Sequence, residues 1–491
     1  MLSPVKFQFL NSVIEIKSAS DWNHPQIPKL WLYNLHYFED LNSEGAFTRS
    51  EWHRFLIARW ILENPPGYGV GWDPYPVSVR VINWIKWELA GNKLDDATRY
   101  SLAVQVRYLS KRMEWHLLGN HLFVNAKALI FAGCFFQGSE PADWLNTGMA
   151  ILKDQVPEQI LSDGGQFERS PMYHSLALED MLDLINLFNA YPYVRNNWSG
   201  LIDSWTSFIP KMAYWLQVMC HSDGEISFFN DTAKGIALPP AKLSSYAKQL
   251  NFSDQFNLPE IIHLVPSGYI RITVGSAVLL IDAAPIGPDY LPGHAHADTL
   301  TYELSLNGKR TIVNSGISRY GLGAEREFER STAAHNTLEI DGFNSSEVWS
   351  GFRVARRAYP FDVSVKREGN LIVARASHNG YKRLAGKPVH TRCWRIGEGF
   401  LEVIDSVSGI FSEAISRVYF HPAVTLNRME EVASIQGIEH SVSWDCMGDE
   451  YSLETGHFHE EFGLSAPCQI LKIKINYSRE NPSCRLMLSW K

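Results

Sequence analysis

The sequence predicts an α+β multidomain chain, a helical incomplete (α/α) toroid followed by an antiparallel β-sandwich. Three observations predict it: a helical hydrophobic period from about residue 25 to 225, a break over 232–262, and a period of two beyond it. In the first part Trp31, Leu35 and Phe38 recur at i, i+4 and i+7, and Trp52, Phe55, Leu56 and Trp60 continue the pattern. Val81, Ile82, Ile85 and Leu89 mark a helix opened by Pro76. Leu178, Met181, Leu182 and Ile185 mark another, and Phe208, Met212, Trp215 and Met219 the last. About seven to nine helices are expected, joined by short turns. Repeated helical hairpins build a solenoid or a toroid, and the lack of a fixed-length repeat favours the toroid. Beyond the break, Tyr269–Val274 and Leu471–Ile475 alternate, and Asn307-Gly308 forms a hairpin turn between Leu304–Leu306 and Thr311–Val313. The expected domains are therefore 1–231 (helical), 232–262 (crossover) and 263–491 (sandwich).

At 491 residues the chain needs more than one core, and 45% hydrophobic with 20% charged residues is a globular balance. A formal charge of −8 argues against a nucleic-acid partner, which wants a basic footprint. Aromatic residues make up 12% of the chain, enough for a heavily packed core or for ring faces lining a sugar cleft. The six cysteines show no CxxC spacing and read as core thiols. No apolar run approaches the roughly 18 residues of a membrane-spanning helix. The first residues lack a signal peptide's pattern, so a cytoplasmic protein is expected, or a periplasmic or secreted one if the chain is truncated.

Three segments combine chemistry-bearing residues with special local geometry. In Gly119-Asn120-His121, Asn120 can cap a helix, and with His121 it can also present donors to an anion at a helix start. In Glu168-Arg169-Ser170-Pro171-Met172-Tyr173-His174, Ser170 and Pro171 open a helix and put Tyr173 in its first turn. There the helix dipole and Arg169 are expected to lower the phenol pKa; a core-packing tyrosine is the alternative. Gly293-His294-Ala295-His296-Ala297-Asp298 follows a proline-bounded loop, and in extended chain His294, His296 and Asp298 point the same way. Asn314 and His335 could complete a metal site with His296, although an amide oxygen is a poor zinc ligand. Trp72 and Tyr75 with Arg80 suit a sugar acid through stacking and a bidentate carboxylate contact, or else form a packed aromatic loop. Arg319, Arg326, Arg330, Arg353, Arg356 and Arg357 read as a mixed, solvated face.

Taken together, Gly119-Asn120-His121, Glu168-x-Ser170-Pro171-x-Tyr173-His174, Gly293-His294-x-His296-x-Asp298 and Ala334-His335-Asn336-Thr337-Leu338 resemble the heparinase II/III family of polysaccharide lyases and the related alginate lyases. The resemblance spans about residues 70–345. It implies a toroid and a sandwich with a cleft between them, acting on a uronic-acid-containing acidic polysaccharide by β-elimination to leave a C4–C5 unsaturated product. It implies that Asn120 and His121 neutralise the uronate carboxylate, that Tyr173 protonates the glycosidic oxygen and that His294 takes the C5 proton. Trp72, Tyr75, Arg80, Arg169 and His174 are the expected substrate contacts. No cofactor is required. A structural divalent metal, zinc or calcium, is implied at His296 and His335, with Asn314 standing where the family's aspartate is expected. Two rival readings remain. A glycoside hydrolase would need two carboxyls such as Asp163 and Glu168. A non-catalytic binding protein in exopolysaccharide or capsule synthesis would keep the aromatics without using Tyr173.

Overall fold

A computed structural model describes residues 1–253, 256–428, 431–437, 442–477 and 481–490. Its chain divides into two compact units, residues 1–159 with 180–207, and residues 160–179 with 208–491. Among the described residues ten helices lie between 29 and 218: α1 Lys29–Tyr37, α2 Ser50–Glu63, α3 Pro74–Leu89, α4 Asp96–Ser110, α5 Gly119–Phe135, α6 Ser139–Gln159, α7 Pro171–Ala190, α8 Pro192–Asn197, α9 Ser199–Thr206 and α10 Ile209–Val218. The excess over expectation lies in α8 and α9, too short to show a periodic stripe. The third helix begins at Pro74 rather than Pro76, because proline suits the first helical turn, where no donor is required. The apolar stripes are mostly buried, but Phe55 and Leu89 are exposed. No helix among the described residues is long and apolar enough to cross a membrane.

The boundary expected at 231 does not coincide with the division into units. Trp215 and Val218 of α10, with Met219 just beyond it, pack against Ile262, Leu264, Tyr269, Val278 and Leu280 of a sheet. Periodicity identified α10 as a helix but could not say what its apolar face covers. Nor is 232–262 a bare crossover. It holds a helix, α11 (Pro240–Gln249), and the start of a strand at Ile261, and its residues 254 and 255 lie outside the described ones.

In the second unit a five-stranded antiparallel sheet runs in chain order through Ile261–Leu264, Tyr269–Val274, Ala277–Asp282, Tyr302–Leu306 and Lys309–Ile312. Covered on one face by α10 and on the other by the main core, its central strand is buried at every position. The hairpin turn at Asn307-Gly308 is present, both residues at positive φ (50° and 78°), as a tight two-residue turn demands. Alternate residues of a four-stranded sheet (Leu338, Ile340, Ala414, Val418, Leu471, Ile473) and an eight-stranded one (Ile372, Ala374, Trp394, Ile396, Leu401, Leu486) complete that core. This is the antiparallel sandwich that the period of two called for.

Residues 283–301 and 313–337 link or follow strands of the five-stranded sheet and carry His294, His296 and His335. Buried Arg392 fastens both. It is paired with Asp405 through Nε (2.6 Å) and Nη2 (2.8 Å), and its Nη1 donates to the carbonyls of Leu300 and Asn336. A guanidinium used in this way holds loop backbone that has no ladder of its own.

Candidate active site

The site in the sandwich unit is built around Asp231. Ser170 caps α7: its Oγ accepts the Tyr173 N–H at 3.1 Å, as the sequence suggested, and donates to the Asp231 carbonyl at 2.6 Å. One hydroxyl thus sets the helix start that carries Tyr173 and ties it to the Asp231 backbone. Asn230 beside it has φ 56°, a left-handed conformation that asparagine tolerates. Its side chain donates to the Arg169 carbonyl (3.0 Å) and accepts the His296 N–H (3.1 Å).

The Asp231 carboxylate, itself buried, binds three side chains. Its Oδ2 accepts from His294 Nδ1 at 2.8 Å and Arg326 Nη2 at 2.7 Å. Its Oδ1 accepts from His296 Nε2 at 2.8 Å and from Arg326 Nη1. Burial alone would raise its pKa. The Arg326 charge and the hydrogen bonds from His294 and His296 outweigh burial and hold it well below the ordinary carboxylate value. An ionised carboxylate only accepts, so His294 points an N–H at it from Nδ1 and turns Nε2 away. That Nε2 lies 3.7 Å from Glu168 Oε2.

Tyr173 stacks on His294, ring centroids 3.9 Å apart and planes within 28°, and its hydroxyl lies 3.1 Å from that of Tyr320. The expectation of a lowered phenol pKa is overturned. Burial, then Tyr320, then the negative charges of Asp231 and Glu168, raise it well above the ordinary tyrosine value. Arg169 cannot oppose them, because it is turned to the carbonyls of Ser267 (3.1 Å) and Ile286 (3.3 Å). Two of the donors of half-buried Arg169 are thus spent on backbone. His174 is likewise structural: it is buried, with Nε2 on the Met212 carbonyl (2.9 Å) and Nδ1 accepting the Gln166 N–H (3.2 Å), and burial lowers its pKa to about 3.

In the helical unit Asn120 and His121 lie in the first turn of α5. Leu118 and Gly119, both at positive φ, lead into the helix, so Asn120 is inside it and does not cap it. Asn120 Nδ2 donates to the Tyr75 hydroxyl (3.2 Å), and the His121 and Tyr75 rings are 4.8 Å apart. His121 Nδ1 faces Glu114 Oε1 at 3.1 Å, and Asn125 holds the other carboxylate oxygen at 3.0 Å. Glu114 thus orients His121 as Asp231 orients His294. Trp72 and Arg80 do not belong with them. Trp72 is buried, with its indole N–H on the Asn64 carbonyl (3.2 Å). Arg80 is wholly buried, donating to Gln105 Oε1 (2.8 Å) and the carbonyls of His36 (3.1 Å) and Gly71 (2.9 Å). Both are core residues, Trp72 of the loop before α3 and Arg80 of α3 itself.

The arginine run 319–357 is not a uniform solvated face. Arg326 is the buried partner of Asp231, and buried Arg330 donates to the Ala295 carbonyl, whereas Arg356 pairs with Glu347 at the surface. Asp163, a candidate hydrolase carboxylate, is occupied by Ser267 N (2.9 Å) and Oγ (2.8 Å). His296 and His335 face each other, Nδ1 to Nε2, at 3.1 Å. Asn314 is not a third ligand: its oxygen accepts from His335 Nδ1 (3.0 Å) and Thr301 Oγ1 (2.7 Å). With Asp298 in place of Asn314 the donor set is two imidazoles and a carboxylate, all buried, which fits a zinc-class ion. The sequence reading missed Asp231, Tyr320 and Glu114, which lie in no periodic segment. It placed Arg326 on the wrong kind of surface, since a charged residue's burial cannot be read from its neighbours' charges.

Residues 63–255 match the model of the heparinase II/III N-terminus, and residues 258–487 that of the heparinase II/III-like C-terminal region. A heparin-sulfate lyase of Bacteroides stercoris is 26% identical over 366 residues, covering 68% of this chain and 50% of that protein. One of Pedobacter heparinus is 27% identical over 260 residues, 46% of this chain and 36% of that one. This chain thus spans half or less of the length of these relatives. Among solved structures, heparinase III superposes with a TM-score of 0.80 at 18% identity, covering 97% of this chain and 80% of that one. That likeness shows the fold class, a helical (α/α) part followed by an antiparallel β-sandwich. With both family models matched in order along nearly its whole length, the chain belongs to the heparinase II/III family.

Proposed function

We propose that the protein is a polysaccharide lyase that cleaves a uronic-acid-containing acidic polysaccharide by β-elimination. The observation that carries this reading is the stacked Tyr173–His294 pair, with His294 Nδ1 fixed on an ionised, buried Asp231. In the proposed reaction the C5–H bond breaks and its proton goes to His294 Nε2. The electron pair forms the C4–C5 double bond, the C4–O bond breaks, and the departing oxygen takes the Tyr173 proton. A phenol with a raised pKa keeps its proton until that oxygen develops charge, which suits the donor role better than the base role. Proton exchange with solvent then resets both groups. In the helical unit Asn120 and His121, each oriented by a neighbour at the start of α5, are proposed as donors to a carboxylate.

Because the relatives are named heparin-sulfate lyases, heparan sulfate heads the substrates to test, followed by alginate, hyaluronan and bacterial capsules. Incubation with this panel is expected to give fragments that absorb in the near ultraviolet, the signature of a C4–C5 double bond. New reducing ends without that absorbance would identify a hydrolase. Binding without cleavage across the panel would identify a non-catalytic protein.

A further inference from the structure

Outside the Asp231 cluster, the sandwich unit has a second place where unused donors gather. Tyr359 and Asn379 flank the open end of the hairpin of strands Pro360–Glu368 and Leu371–His378, just past the Pro360–His378 pair. They interlock: Asn379 Oδ1 accepts the Tyr359 N–H at 2.9 Å, and the Asn379 N–H donates to the Tyr359 carbonyl at 3.2 Å. A backbone N–H needs an acceptor, so the amide oxygen is committed and Nδ2 is left as a donor with no partner among the described residues. The Tyr359 ring is 47% exposed. Arg356, Arg357 and Arg383 line one cavity of about 410 Å³ with these two residues.

The three guanidiniums are held differently. Arg383 gives its donors to the carbonyls of Ser345 (3.0 Å), Gly380 and Asn344, so it brings charge more than contacts. Arg357 gives Nη1 to Asp289 Oδ1 (2.9 Å) and Nη2 to the Asp289 carbonyl (2.7 Å), and among the described residues its Nε has no partner. Arg356 grips Glu347 with Nε (2.8 Å) and Nη2, which leaves its Nη1 unused, on a side chain 68% exposed. Three guanidiniums thus share two carboxylates, Glu347 and Asp289. Burial, and then the Arg356 charge, lower the Arg383 pKa against the opposing effects of Tyr381 and Glu347. Like charges around one cavity, short of a carboxylate, suit one further anion. On a chain of net charge −8 this small excess is too little for a nucleic-acid backbone, which is met by a basic stripe. The exposed Tyr359 ring offers an apolar face to a sugar ring, and Asn379 Nδ2 a donor to its oxygens.

We infer that Arg356, Arg357, Tyr359 and Asn379 form a holding site for an acidic saccharide, in which guanidiniums take a carboxylate or sulfate group and the tyrosine ring stacks on the sugar. Their bonds run to Glu347, Asp289 and one another, and none runs to Tyr173, His294 or Asp231, so the site binds and breaks no bond. Arg357 ties it to the loop 283–301 through Asp289, five residues before His294. The inference does not use the lyase reading.

Phenylglyoxal tests this at the site itself, because it adds to accessible guanidiniums and mass mapping reads Arg356 separately from the rest. Wild type and Tyr173→Phe are both used as full chains, so that cleavage of a probe is not mistaken for failure to bind. A heparan-derived hexasaccharide is expected to protect Arg356 with a half-protecting concentration below about 1 mM, and neutral cellohexaose to give no protection. A hyaluronan hexasaccharide has carboxylates without sulfate. Protection by both acidic probes assigns the anion to carboxylate, and protection by the heparan-derived one alone assigns it to sulfate. In Tyr359→Ala the half-protecting concentration is expected to rise roughly 5–10-fold. Arg395, exposed on the same eight-stranded sheet, is expected to stay unprotected. Unchanged Arg356 reactivity with both acidic probes in both chains would overturn the inference, and the wild-type arm depends on no variant folding. So would equal protection of Arg395, an unchanged concentration in Tyr359→Ala, or protection by polyglutamate at a lower concentration than by either saccharide. A chain without lyase activity passes or fails on the same terms.

Discussion

Tyr173→Phe is expected to lower kcat by about 10²–10⁴-fold, with KM little changed and the fold intact. The hydroxyl makes one hydrogen bond to a side chain, that of Tyr320, and the ring itself supplies the stack on His294. Phenylalanine preserves the stack and the first turn of α7 while removing the proton that the leaving oxygen needs. A role confined to binding would show the opposite split, a raised KM at constant kcat. The rate is read as growth of near-ultraviolet absorbance on the best polysaccharide of the panel. A rate within a few-fold of wild type would remove Tyr173 from the chemistry.

The second large effect is expected at Asp231, on rate and stability together. In Asp231→Asn the amide nitrogen can donate to His294 Nδ1, which moves the ring proton to Nε2 and fills the lone pair meant for the C5 proton. The expected loss in kcat is about 10²–10⁴-fold, the range for a general base held in the wrong tautomer. The same change leaves Arg326, 1% exposed, without its carboxylate. Breaking a buried pair from one side costs about 3–5 kcal/mol. Urea unfolding of wild type and variant measures that cost, and kcat is compared at temperatures where both are folded. The sign with pH follows from the lowered pKa of Asp231. Its contribution is present above the ordinary carboxylate value and lost as pH falls through the lower folded one. Wild type is therefore expected to keep this increment well into mild acid, and Asp231→Asn to lack it throughout.

The fold class was legible because each half keeps one hydrophobic period for more than a hundred residues. Local geometry with an explicit chemical signature was legible too, namely the Ser170-Pro171 helix start that carries Tyr173 and the Asn307-Gly308 turn. The limits were set by burial of polar groups. Arg80, Arg169 and His174 read as substrate contacts because a charged or polar side chain near a motif looks available. In the folded chain Arg80 and His174 are wholly buried on the carbonyls of Gly71 and Met212, and Arg169 points two donors at the carbonyls of Ser267 and Ile286. Asp231 failed in the other direction. It lies in an aperiodic segment, and its importance comes from partners 63, 65 and 95 residues away in sequence.

The most direct test of the Tyr173–His294 elimination is to digest a defined uronate oligosaccharide in ordinary water and weigh both fragments. The account predicts that their masses sum to that of the parent, because no water enters the reaction. A mass sum larger by one water would contradict it.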